Sequence, residues 1–248
     1  MKGILADDVF ASMPTSSVTT TQTHAPRLTP APVSVSPRST PRGWYVMAIG
    51  AFAVAGYALS FYVRGRHAFP PPLREGLSPR PWGIYSHVLF GSVALLTGPF
   101  QFRRGILRRR RSLHRRLGVA YVAAAALTGA VGLYMAPYSF GGLNTHLGFG
   151  ILGAFTLVTT MVAYRRIRAF DVVSHRQWMI RSFALIFAAV TLRLELPLLI
   201  VSLQDFAPAY AIVAWLCWIP NLLIAEWYIR RSRHGPASHV PTHSRARG

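Results

Sequence analysis

Residues 143–170 read LNTHLGFGILGAFTLVTTMVAYRRIRAF, a run without a charge as far as Tyr164 that ends abruptly in Arg165, Arg166 and Arg168. The run is apolar all round, unlike the one-sided stripe of a soluble surface helix. A helix needs about 20 such residues to cross the hydrocarbon of a bilayer. Four more uncharged runs flank it, at residues 44–63, 84–102, 117–137 and 206–225. A sixth, at residues 178–202, is apolar except for Arg181, Arg193 and Glu195. It lies between two clean spans, which connect sensibly only if it crosses as well. Its charges then turn into the bundle or snorkel from its ends. The expected fold is an all-α integral membrane protein of six helices.

The charge of the chain agrees. Its 248 residues are 52% hydrophobic and 14% charged, with 27 Lys and Arg against 7 Asp and Glu, and mean hydropathy is +0.32. A net charge of +20 raises the question of nucleic acid. However, the arginines form short blocks between long apolar runs rather than one basic face, and no base-reading motif is present. Nucleic acid is not expected as a partner; the lipid bilayer is. The single cysteine, Cys217, lies in an apolar run and can form neither an internal disulfide nor a C-x-x-C-H haem attachment.

The arginine blocks set orientation. Arg103, Arg104, Arg108 to Arg111, Arg115 and Arg116 lie between spans two and three. Arg165, Arg166, Arg168 and Arg176 lie between four and five, and Arg230, Arg231, Arg233, Arg245 and Arg247 follow six. The loops after spans three and five hold no lysine or arginine. Positive loops stay in the cytoplasm, so both termini are expected there, in a multi-pass protein of the cell membrane. The loop after span one, with Arg64, Arg66, Arg74 and Arg80, is the exception. Residues 1–43 are rich in Ser, Thr and Pro and read as a disordered cytoplasmic tail rather than a secretory signal. Residues 44–229 form the membrane domain, and 230–248 a basic cytoplasmic tail.

Spans two to five contain an internal repeat. SHVLFG opens span two and THLGFG opens span four; each span ends in an arginine block, and the next helix begins at HRR or HRQ. The repeat makes spans two to five a duplicated four-helix bundle. It places His87 and His146 near the outer ends of spans two and four, and His114 and His175 at the inner ends of spans three and five. The two layers lie about 20 Å apart at 1.5 Å per residue. Two facing imidazoles at one level are the axial ligands that a b-type haem requires. Helix bundles build such sites from facing side chains, and Gly91, Gly98, Gly129, Gly132, Gly148, Gly150 and Gly153 leave room for a macrocycle.

The segments SHVLFGSVALLTGPFQF, LHRRLGVAYV and HRQWMIRSFALIFAAVTLRLELP, within residues 84–200, resemble a bacterial family of predicted multi-pass membrane proteins catalogued as a domain of unknown function. The architecture is also similar to that of the ascorbate-reducible di-haem b-type cytochromes, which carry histidine pairs on helices two and four and on three and five. That likeness implies haem b on His87 with His146 and on His114 with His175. The corresponding function is electron transfer across or within the membrane, as a transmembrane oxidoreductase fed by a small-molecule or quinone-like donor. The alternative is a non-enzymatic membrane protein, a transporter or assembly factor, whose histidines are interfacial anchors.

Two charges inside span five call for partners, because a charge at the centre of a spanning helix costs at least about 2.5 kcal/mol on insertion scales. Arg193 and Glu195 point to different sides of their helix. Arg193 is expected either to serve a ligand or to pair with Asp205 or Glu226. Glu226 reads as an interfacial anchor, and Arg181 as snorkelling.

The orientation has a direct test. A reporter active only in the cytoplasm should be active when fused after Arg233 or near Arg110, and silent near Gly142 or Asp205. Activity at both sets of sites refutes the six-span topology.

Overall fold

A computed structural model of the protein describes residues 42–65, 73 and 80–233. The expected tails, 1–43 and 230–248, lie outside the described residues apart from Arg42, Gly43 and residues 230–233, all of which are helical. Six helices are long and apolar enough to cross a membrane: Arg42–Arg64, Pro81–Gln101, Arg111–Tyr138, Leu143–Arg168, Val172–Leu203 and Phe206–Ser232. They are spans one to six below. Among the described residues there is no strand.

Spans two, three, four and five pack each against the next, and five also touches two, which closes a four-helix core. Span one lies against spans two and five, and span six against spans four and five. Lipid is as apolar as leucine, so the association of these helices comes from close contact and polar pairing rather than from the hydrophobic effect. The sequence supplies small residues for that contact. At Gly129 a Cβ would stand 2.9 Å from the Gly153 carbonyl oxygen and the Leu157 nitrogen; at Gly153 it would stand 2.9 Å from the Leu133 nitrogen. Spans three and four therefore touch backbone to backbone. Gly98 makes room on span two for the ring of Phe183 from span five. Outward, Val46, Ile49, Val158, Leu194, Leu198 and Ile224 stay exposed, as a lipid-facing surface requires.

Polar groups tie the core at its centre. The Tyr121 hydroxyl meets Ser182 Oγ at 2.8 Å, and Thr160 Oγ1 meets the same atom at 2.7 Å, so spans three, four and five share one buried cluster. Span one is pinned to span two near both ends. Trp44 Nε1 donates to the Pro99 carbonyl at 2.8 Å, and the Tyr62 hydroxyl donates to the Tyr85 carbonyl.

Spans five and six are each interrupted, at Phe187 and at Cys217–Trp218. Pro220 explains the second, since it brings no N–H to the preceding turn. The first has no proline or glycine at the break, and only the second was visible in the sequence. The two breaks face one another. Thr191 Oγ1 donates to the Cys217 carbonyl at 2.5 Å, and Asn221 Nδ2 donates to Thr191 Oγ1 at 3.1 Å and to the Cys217 carbonyl at 3.0 Å. The carbonyl released by one break is thus held by side chains at both, as a waterless interior demands. Between spans four and five, Asp171 accepts from the Ser174 backbone N–H at 2.9 Å and caps the helix. The Ser174 hydrogen bonds, with Arg166 at 3.6 Å, hold its carboxyl below the usual carboxylate range.

Gly129→Ala forces a methyl group against the backbone of span four and should destabilise the protein by about 1–3 kcal/mol, the usual range for overpacking. Gly43→Ala, which meets nothing within 4 Å, should leave thermal stability in detergent unchanged.

Candidate functional site

One end of the core carries most of the arginines, at the loops joining spans two to three and four to five. At this arginine-rich end His114 opens span three and His175 opens span five. Both therefore stand at the same end of the core, on helices that face each other across it. The His175 Nδ1–H donates to the Ala163 carbonyl at 2.9 Å, which fixes the tautomer and leaves the Nε2 lone pair uncommitted. That is the usual arrangement of a metal-ligating histidine, whose second nitrogen is steered by a backbone oxygen. His114 Nδ1 is buried with no protein partner, and so is Gln101 Nε2 at the end of span two. Gly118 lies one turn after His114 on the same face of span three, and its missing Cβ leaves 3.2 Å to Gln101 Oε1. Gln101, His114 and His175 thus bring polar groups from three helices to one level. The repeat pointed to the two histidines, whereas Gln101 has no counterpart in it and went unnoticed.

The other two histidines have separate surroundings. His146 donates from Nε2 to the Ser139 carbonyl at 2.9 Å, so its outer nitrogen is committed to the backbone. His87 lies against span three at Gly132, where a Cβ would be 3.3 Å from its Cε1. Among the described residues no group of three or more His, Cys, Asp and Glu gathers as for a bare metal ion; a haem needs only two.

The charges of span five also find their places. Arg181 does not snorkel. Its Nε donates to Glu226 Oε1, and its Nη2 donates to Oε2 at 3.0 Å, a two-pronged pair joining spans five and six, with the guanidinium 4.5 Å from the Trp178 ring. Glu226 is therefore the partner of Arg181, not of Arg193 and not a free anchor. Asp205 is not available to Arg193 either, because its carboxylate caps span six at the Ala207 N–H, 3.0 Å away. The sequence offered Glu226 to either arginine, since helix rotation is not written in it.

His87, His114, His146, His175, Arg181, Arg193 and Glu226 fall inside one match: the family described as predicted membrane protein (DUF2306) covers residues 84–229, more than half of the chain. The chain belongs to that family. No curated protein and no solved structure matches it. The DUF2306 match begins just inside span two, takes in spans three to five and most of span six, and leaves out span one. Tyr57 and Arg64, which stand near the core, come from outside the match.

Arg181→Ala strands the Glu226 carboxylate in a half-buried place. Breaking one side of a buried pair costs about 3–5 kcal/mol, and the loss here should approach the low end of that range. Folded yield should fall, and the double change Arg181→Met with Glu226→Leu should recover most of it. A single variant as stable as the parent refutes the structural role of the pair.

Proposed function

We propose that this DUF2306 protein is an electron-carrying membrane cytochrome that holds a b-type haem between His114 and His175, at the arginine-rich end of spans two to five. The observation that carries this reading is that both rings stand at one end of the core, one with a buried, unpartnered nitrogen and the other oriented by Ala163 with Nε2 uncommitted. When bound, the haem supplies one-electron transfer. The chain does the rest. His175 offers Nε2 along a direction set by the Ala163 carbonyl, and His114 faces it from the opposite helix. Gly118 keeps the wall of span three open, and Gln101 contributes a buried amide N–H. Arg115 and Arg176, each next to a histidine, would supply cations for the haem's propionates. The expected electron donor is a small or quinone-like molecule, and the arginine-rich end is expected to be cytoplasmic, with both termini on that side.

At the far end His146 has given its outer nitrogen to Ser139, and His87 lies against Gly132 of span three. A second haem on that pair, as in the di-haem cytochromes, has less support than the first. The breaks of spans five and six do not favour a transporter, because the Cys217 carbonyl is closed by Thr191 and Asn221 rather than left facing a cavity.

Protein purified from cells supplied with haem should show a b-type spectrum. His114→Ala and His175→Ala should each remove the same component, and the double variant should lose little more. If His87→Ala and His146→Ala abolish a separate component, the protein holds two haems. A colourless protein refutes the cytochrome reading and leaves a non-enzymatic transporter or assembly factor of the DUF2306 family.

A further inference from the structure

Span three begins at the arginine-rich end with Arg111, Ser112, Arg115 and Arg116 in its first two turns, and its uncharged run starts at Leu117. At about 100° per residue, positions 111, 112, 115, 116 and 119 fall on one side of the helix. All five residues are exposed. Tyr121, Ala124, Ala125 and Thr128, which are buried, lie on the other side. The five therefore look outward, away from the core. An open recess of about 660 Å³ lies over them, lined by Arg111, Ser112, Arg115, Arg116 and Val119.

Three cations stand in this recess without a carboxylate. Of the acids among the described residues, Asp171 faces Arg166, Asp205 caps span six, Glu226 holds Arg181, and Glu195 lies within span five. Arg111 and Arg115 are one turn apart, where like charges repel, so an anion between them relieves a cost. Farther along, the same side of the helix becomes apolar and stays open. Val119, Ala123, Leu127 and Ala130 are all exposed there, and the two alanines leave the surface shallow. One face thus runs from a cationic, hydroxyl-bearing head into an uncharged track, and the change comes at the edge of the hydrocarbon. That is the profile of a phospholipid, with its phosphate at the interface and its acyl chain below.

We infer that this face of span three is a binding site for one anionic phospholipid, whose phosphodiester is held by Arg111, Arg116 and Ser112 and whose acyl chain lies along Val119, Ala123 and Leu127. A guanidinium fork grips two phosphate oxygens at once, and the serine hydroxyl supplies a further donor. A zwitterionic lipid brings its own ammonium group to the same place and gains less from three arginines. The inference does not rest on the haem reading. Arg115 borders the recess but is also the cation which that reading assigns to a propionate. Arg111 and Arg116, which it leaves aside, are therefore the residues to test.

The full chain in detergent can be titrated with dioleoyl phosphatidylglycerol or dioleoyl phosphatidylcholine and read by native mass spectrometry. One phosphatidylglycerol should bind about fivefold or more tighter than phosphatidylcholine. Arg111→Gln with Arg116→Gln should weaken that first lipid by about tenfold, as expected when charge-assisted hydrogen bonds are lost. Arg165→Gln with Arg168→Gln removes the same charge from the same end of the protein and should change it by less than about twofold. Millimolar inorganic phosphate should not displace the lipid, because it lacks the acyl chain. Size-exclusion profile and helical circular dichroism identify variants that remain folded. Equal binding of the two lipids, equal losses from the two arginine pairs, or a folded Arg111→Gln, Arg116→Gln variant that matches the parent would each overturn the site. Displacement by phosphate would make it a site for a soluble anion, and a dimer that takes up no phosphatidylglycerol would give the face to a second copy; either overturns the lipid assignment.

Discussion

The contact on which the rest of the structure depends is the one between the backbones of spans three and four at Gly129 and Gly153. In a bilayer there is no gain from removing apolar side chains from their surroundings, so two helices associate only as far as their surfaces come close. Glycine at both positions lets the axes approach until main chain meets main chain. Spans three and four are neighbours in the ring 2–3–4–5. Their approach leaves spans two and four, and three and five, across the bundle from each other. Residues at the arginine-rich ends of spans three and five, His114 and His175 among them, then stand on opposite sides of the core.

A waterless interior also decides how the polar residues behave. A group that finds no partner there is expensive, and the chain resolves most such groups in pairs. Ser182 satisfies Tyr121 and Thr160 together, Glu226 satisfies Arg181, and the break in span six is closed from the break in span five. The exceptions are therefore informative. Ser92, Gln101, His114 and Glu195 each keep a buried atom without a partner, and Arg193 keeps a cation without a carboxylate. Gln101 and His114 share the end of the core that also carries His175, as expected where a ligand completes the bonding, whereas Ser92 lies midway along span two.

How much of this the sequence disclosed depends on whether the property is local. Five spans were legible because a run without charge is a one-dimensional signal that a bilayer enforces. Span five was legible only from its neighbours, and its break at Phe187 carries no proline or glycine to announce it. The repeat disclosed which histidines share a level, because duplication copies position along the helix axis. It said nothing of rotation about that axis. Whether Glu226 would meet Arg181 or Arg193 depends on how spans five and six turn against each other, and helix rotation of this kind is decided by packing at places such as Gly98 against Phe183.

The loop that disagreed with the rest of the charge distribution shows the same distinction between counting and placing. Arg64 and Arg80 stand on the arginine-poor side, and a count treats them as errors in the topology. Each is held over an aromatic face: Arg64 over Tyr57 at 5.2 Å, and Arg80 over Tyr138 at 3.4 Å. A guanidinium stacked on a ring is partly desolvated already and gains attraction from the ring's electrons. Its role is then to fix a side chain in place rather than to hold a loop on one side of a membrane. Arg80 ties the start of span two to the end of span three, the two helices between which His87 meets Gly132. Arg64 shares the Tyr57 ring with Arg193. The opposite face holds such pairs as well, with Arg103 over Trp44, Arg231 over Trp227 and Arg166 beside Asp171, so on either side individual arginines fix side chains in place.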